Sequence, residues 1–148
     1  AQAEGCSPVA TAFTGNQDYV RPVKPSTIAK SLAIGNPADG FYALQTVRST
    51  GGALAAVTDA EIVEGMTLLA RTEGIFAETA GGVTIATLAK LAASGVVRRD
   101  ERVVAYVTGH GLKTIDAVAP VVGPSATIAP TMDAFAAAID ADEAGGQR

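Results

Sequence analysis

Between residues 58 and 73 the stretch "TDAEIVEGMTLLARTE" sets Ile62, Met66, Leu69 and Ala70 at helical spacing among polar neighbours, which predicts an amphipathic helix. Thr58 and Glu61 have the spacing of a capping box, in which a hydroxyl and a carboxylate satisfy amides at the helix start. Gly74 is placed to end the helix. Just before it, "ALAAV" (53–57) is a short apolar run between Gly51-Gly52 and the cap, and reads as a strand. A second helix is predicted to follow Gly81-Gly82, with Ile85, Leu88, Ala89 and Ala92 on one face and Gly95 closing it.

The run "RVVAYVT" (102–108) is almost continuously apolar and rich in β-branched residues, the pattern of a strand covered on both faces in a parallel sheet. A glycine-bracketed turn and a further helix follow. Strand, helix, helix, strand, glycine turn and helix in that order predict an α/β architecture with a layered parallel sheet. The flanks are less regular. "CSPVATAF" (6–13) and "DGFYALQTVRST" (39–50) read as helices separated by loop, and "TMDAFAAAID" (131–140) sets Met132, Phe135, Ala136 and Ile139 on one face. Residues 142–148 read as a frayed tail.

A chain of 148 residues suits one domain with a substantial core. The net charge of -4, without long runs of one sign, speaks against a nucleic-acid partner. Cys6 is the only cysteine, so no intrachain disulfide can form, and a reducing cytoplasm is the expected location. No stretch approaches the ~18 uninterrupted apolar residues of a membrane helix, so no membrane partner is expected. The chain begins "AQAEGC", without methionine, and is expected to be a piece of something longer.

Ligands of parallel α/β sheets bind beyond the carboxyl ends of the strands, so Thr108, Gly109, His110 and Gly111 stand where a ligand is expected. The plain alternative is a connecting turn. His110 is either a general base or a loop histidine bonded to backbone. A Cys6–His110 nucleophile and base pair lacks a visible third group to orient it. Glu78, at the start of a helix, either faces a ligand or balances the helix dipole. No zinc spacing, Walker-type loop or nucleophile elbow is present, and no metal site is expected. "PSTIAKSLAIGNP" (25–37) has no evident core role.

Four segments, "QAEGCSPV" (2–9), "STIAKSLAIGNPADG" (26–40), "EGIFAETAGGVTIATL" (73–88) and "VVAYVTGHGLKT" (103–114), resemble the C-terminal part of the threonine synthases. These are pyridoxal-phosphate enzymes of fold type II, the tryptophan synthase β-like group. The resemblance runs through about residue 118. It implies a segment of an enzyme that converts O-phospho-L-homoserine and water to L-threonine and phosphate, a carbon–oxygen lyase of threonine biosynthesis. By the same resemblance, Thr108 contacts the ring nitrogen of pyridoxal 5'-phosphate, residues 109–111 pass beside the ring, Glu4 and Gly5 border its other side, and Glu78 lies near the site. It also implies that the Schiff-base lysine and the phosphate cup belong to an N-terminal half. That half is the expected partner, in a full-length homo-oligomer acting on a small amino-acid substrate. Lys24, Lys30, Lys90 and Lys113 stand outside the expected context of that lysine and read as solvated surface residues, so the segment alone is expected to be inactive, with no catalytic residue of its own. The alternatives are a threonine or serine dehydratase segment, or a non-catalytic binding module that keeps the fold.

Overall fold

The computed structural model describes residues 1–124 and 126–145. The chain divides into two compact units, Ala1–Ala117 and Val118–Arg148. The first unit is α/β. Strand β1 (Gln2–Ala3) pairs in parallel with β2 (Ala56–Val57), Gln2 opposite Ala56 and Ala3 opposite Val57. Of the expected strand 53–57, only its last two residues enter this ladder. Helices α1 (Pro8–Thr14) and α2 (Gly40–Ser49) pack together around Val9, Ala12 and Leu44, with Phe13, Val20 and Leu54 at the edge of the cluster.

Helices α3 (Asp59–Glu73) and α4 (Thr79–Ala93) make the main helix contact of this unit. The α3 signals act as expected. The Thr58 hydroxyl accepts from the Glu61 amide at 3.2 Å, and the Thr58 amide donates to Glu61 Oε2 at 2.7 Å. Gly74 closes the helix in the left-handed region, φ 68°. Ile62, Met66 and Leu69 are buried on the face turned to α4, which contributes Val83 and Thr87.

Helix α4 departs from expectation at its start. It begins at Thr79, so Gly81 and Gly82 lie in its first turn instead of preceding it. The reason is packing: a Cβ on Gly82 would stand 2.6 Å from both the Ile62 carbonyl oxygen and Met66 Cγ. Here glycine lets two helix backbones touch, and the chain does not break. Strands β1 and β2 and a short 3-10 turn, Lys30–Leu32, pack on α4 as well.

The stretch 102–108 is the principal correction. It forms no strand among the described residues, and Val103, Val104 and Tyr106 are exposed, Tyr106 by 79%. An interior strand requires neighbours for its backbone bonds and layers for both faces. Among the described residues the only ladder is the β1–β2 pair, and just beyond the stretch His110 makes an isolated antiparallel bridge to Ala77. A 3-10 turn, Gly111–Thr114, then leads into α5 (Ile115–Val122).

In the second unit, α6 runs from Met132 to Gly145, so the expected helix at 131–140 forms and continues into the stretch read as a tail. Residues 146–148 of that stretch lie outside the described residues. The expected apolar face is exposed at Met132, Phe135 and Ile139.

Candidate functional site

The turn after residue 108 is laced to the segment that starts α4. The Glu78 amide donates to the Gly109 carbonyl at 2.9 Å, and the Gly111 amide donates to the Phe76 carbonyl at 2.8 Å. The Thr79 amide donates to Thr114 Oγ1 at 3.2 Å. These bonds to residues 76–79 fix the backbone on both sides of His110.

The glycines have a visible cause. A Cβ on Gly109 would fall 1.9 Å from Glu78 Oε1, and one on Gly111 would fall 2.6 Å from the Phe76 ring. The close neighbours that demand glycine at these positions are therefore a carboxylate and an aromatic ring of the chain itself. Thr108, immediately before them, is exposed, and its hydroxyl has no hydrogen-bond partner among the described residues.

Glu78 is the N-cap residue of α4, yet its side chain makes no capping bond. It is almost fully enclosed, 7% exposed, and its Oε2 meets Lys113 Nζ at 2.8 Å. The carboxylate thus lies at the positive end of α4 and beside an ammonium, two favourable terms for an enclosed charge. His110 is exposed, and its Nδ1 accepts from the Leu112 amide at 3.2 Å. That bond leaves the proton of the neutral ring on Nε2. The imidazole stands edge to face with Phe76, centroids 6.0 Å apart. The histidine therefore caps the 3-10 turn, the backbone-bonded alternative of its two sequence readings.

Glu4 and Gly5 belong to a second group. The Glu4 amide extends the β ladder to the Val57 carbonyl at 2.7 Å, and Ser26 donates its amide to the Gly5 carbonyl at 2.8 Å. Asp59, the first residue of α3, accepts from Thr27 Oγ1 at 2.6 Å and from the Ile28 amide. Thr27 and Ala29 are buried, so the "STIA" part of the segment 25–37 has a core role after all. Among the described residues no hydrogen bond or ion pair joins Glu4 or Gly5 to residues 108–111 or to Glu78. Both groups are tied to α4: one through its N-cap, the other through β1 and the Lys30–Leu32 turn that pack on it.

Cys6 is buried and its amide is tied to the Ala3 carbonyl, while His110 is exposed and capping, so no contact unites the two as nucleophile and base. The lysines are not alike. Lys24 and Lys30 are exposed, but Lys90 bonds the Ala56 carbonyl at 3.0 Å and Glu61 at 3.1 Å, and Lys113 holds Glu78. Asp59 and Phe76 are structural participants that the sequence did not mark, and Lys113, read there as a solvated surface residue, holds Glu78 instead. Among the described residues no helix is long and apolar enough to cross a membrane.

Residues 1–109 match the family described as pyridoxal-phosphate dependent enzyme. The chain is 50% identical over 117 residues to the threonine synthase of Methanocaldococcus jannaschii, a match spanning 78% of this chain and 29% of that protein. To the threonine synthase of Methanosarcina acetivorans it is 39% identical over 139 residues, 93% of this chain and 34% of that protein. The threonine synthase of Mycobacterium tuberculosis is 41% identical over 92 residues, 62% of this chain and 26% of that protein. The chain thus spans about a third or less of the length of these relatives, and by the extent of the match it belongs to the pyridoxal-phosphate-dependent enzyme family.

Proposed function

We propose that this chain is the C-terminal portion of a threonine synthase, which converts O-phospho-L-homoserine and water to L-threonine and phosphate. In this reading Thr108 supplies the contact to the ring nitrogen of pyridoxal phosphate. The observation that carries it is the Thr108 hydroxyl, exposed and without a partner among the described residues, on a backbone fixed by the bonds of residues 109–111 to 76–78. An unused donor adjoining a turn fixed by those bonds fits a heteroaromatic acceptor. The relatives it matches are named threonine synthase, which supports the synthase reading.

Pyridoxal phosphate, when bound, supplies an electron sink that allows phosphate to leave Cγ of the substrate and water to add at Cβ. The residues of this chain do simpler things. Thr108 would donate one neutral hydrogen bond to the ring nitrogen, a contact that supplies no proton and so would moderate electron withdrawal. Residues 109–111 fix the turn that follows that donor, and Glu78, packed against Gly109, has its charge matched by Lys113. Lys90 and Lys113 are already engaged by carboxylates, in keeping with an anchoring lysine supplied by an N-terminal half. That half is the partner in this reading, and the complete protein is a cytoplasmic homo-oligomer, a lyase of threonine biosynthesis.

Thr108→Val in the complete enzyme tests the assignment, because it keeps the shape and deletes the donor. Turnover is expected to fall about 5- to 150-fold, as one lost hydrogen bond to a polar partner costs about 1–3 kcal/mol, with cofactor still bound by its absorbance. Thr108→Ser should be mild. A valine variant equal to wild type in turnover and spectrum removes the assigned role. Ammonia and an oxo acid, in place of threonine and phosphate, would identify a dehydratase.

A further inference from the structure

The structure points to Lys113 as a positioning residue for the Thr108 turn, acting through the enclosed carboxylate of Glu78; the inference rests on the reading of Thr108 given above. Three observations meet at this pair. Glu78 is nearly sealed from water while Lys113, 64% exposed, reaches it from the solvent edge at 2.8 Å. The other carboxylate oxygen, Oε1, fills the space where a Cβ of residue 109 would stand. The two residues are also joined through the main chain: the Lys113 amide donates to the His110 carbonyl at 3.1 Å, and the Glu78 amide to the Gly109 carbonyl. Ammonium, carboxylate, Gly109 and the 3-10 turn Gly111–Thr114 therefore close a ring of contacts around His110.

Charge decides what the lysine contributes. An ion pair between exposed groups is worth little, but removing the counter-charge from an enclosed carboxylate leaves an uncompensated charge, which is strongly unfavourable. Without Lys113, Glu78 is driven to turn outward toward water. Its side chain then leaves the surface of Gly109, and the turn that follows Thr108 loses the packing that limits its backbone. The Thr108 hydroxyl is presented less uniformly, although no atom of Lys113 touches it. The same logic sets the rescue: a neutral glutamine in place of Glu78 needs no counter-charge and keeps the shape.

The test compares Lys113→Met, Lys113→Arg, Glu78→Gln and the double variant Lys113→Met/Glu78→Gln in the complete enzyme that carries this chain. Amide hydrogen exchange at Glu78 and Gly111, measured before cofactor is added, reports the clamp apart from activity. Lys113→Met is expected to speed exchange at both amides about tenfold, and to lower kcat about tenfold with KM little changed. Arginine should restore both readouts, and the double variant should recover most of the exchange protection lost in Lys113→Met. Unchanged exchange in Lys113→Met, or a double variant no better protected than Lys113→Met, overturns the positioning role. Should Lys113→Met fail to fold, the comparison of the double variant with Glu78→Gln decides: equal protection supports charge compensation, and lower protection overturns it. Exchange that responds as expected, beside a Thr108→Val enzyme with normal turnover, would keep the clamp and remove the role of Thr108.

Discussion

The α3–α4 pair and the stretch 102–108 are both rich in apolar residues, but the chain completes only one of them. In α3–α4, Ile62, Met66 and Val83 are buried, with no more than 1% of their surface exposed. In 102–108, Val104 is 74% and Tyr106 79% exposed. The helix pair needs only the two helices and the strands beside them, all supplied between residues 2 and 93. A strand of the interior type needs ladders and covering layers, and among the described residues it finds one bridge, just past its end. An apolar pattern states what a segment must bury, while the rest of the polypeptide decides whether it can.

The heaviest blow to the self-sufficient half of this comparison is Gly82→Val. The new Cβ would begin 2.6 Å from the Ile62 carbonyl oxygen, a backbone atom that cannot move without moving α3. Overpacking of this kind is expected to cost about 3 kcal/mol, at the upper end of its usual range. The measurement is the midpoint of urea unfolding at unchanged slope. A loss below about 1 kcal/mol would mean that the helices slide apart freely, and that their close approach is not what stabilises the pair.

Helix α3 was legible because its signals are local: Thr58, Glu61, the apolar face and Gly74 lie within one stretch. Gly81-Gly82 misled because glycine serves both as a break and as a place of contact, and only the position of α3 distinguishes these. The candidate site was legible in pieces. The turn after Thr108 and the carboxylate of Glu78 were each visible, but the Glu78–Lys113 pair spans a sequence separation that no periodicity encodes. Lys113 read as a solvated residue because most of its side chain is indeed exposed; what matters is the enclosed group it reaches. Asp59 was hidden in the same way, inside a helix start whose capping pattern already accounted for an acidic residue there.

A smaller effect sharpens the account of α3. Glu61 lies below the usual glutamate range, first because of its hydrogen bond from the Thr58 amide and then because of Lys90. Its lowered value means that stability from this group is present above the unfolded value of ~4.3, and is lost as pH falls through the lowered folded value. Glu61→Gln keeps an acceptor at the capping position and removes the charge, so at neutral pH it should cost only about 0.5 kcal/mol, the value of an exposed ion pair. Unfolding measured across that acid range should show the difference between wild type and variant shrinking toward zero. A difference that persists at the acid end would assign the effect to shape, and not to charge.

The smallest expected effect is the most direct test of the contrast itself. Tyr106→Ser removes a large ring from a segment that the first unit leaves in solvent, so the stability of residues 1–148 should change by no more than about 0.5 kcal/mol, the usual span for surface changes. The same substitution should weaken capture of a matching N-terminal half. Exposed apolar side chains and unpaired backbone are what a partner layer would cover. Co-purification of wild-type and Tyr106→Ser chains with that half compares the two directly. A marked loss of stability in the chain alone would mean that Tyr106 is already packed and that 102–108 needs no partner. Unchanged stability with equal capture would leave the segment as surface and favour a self-standing module over a completed sheet.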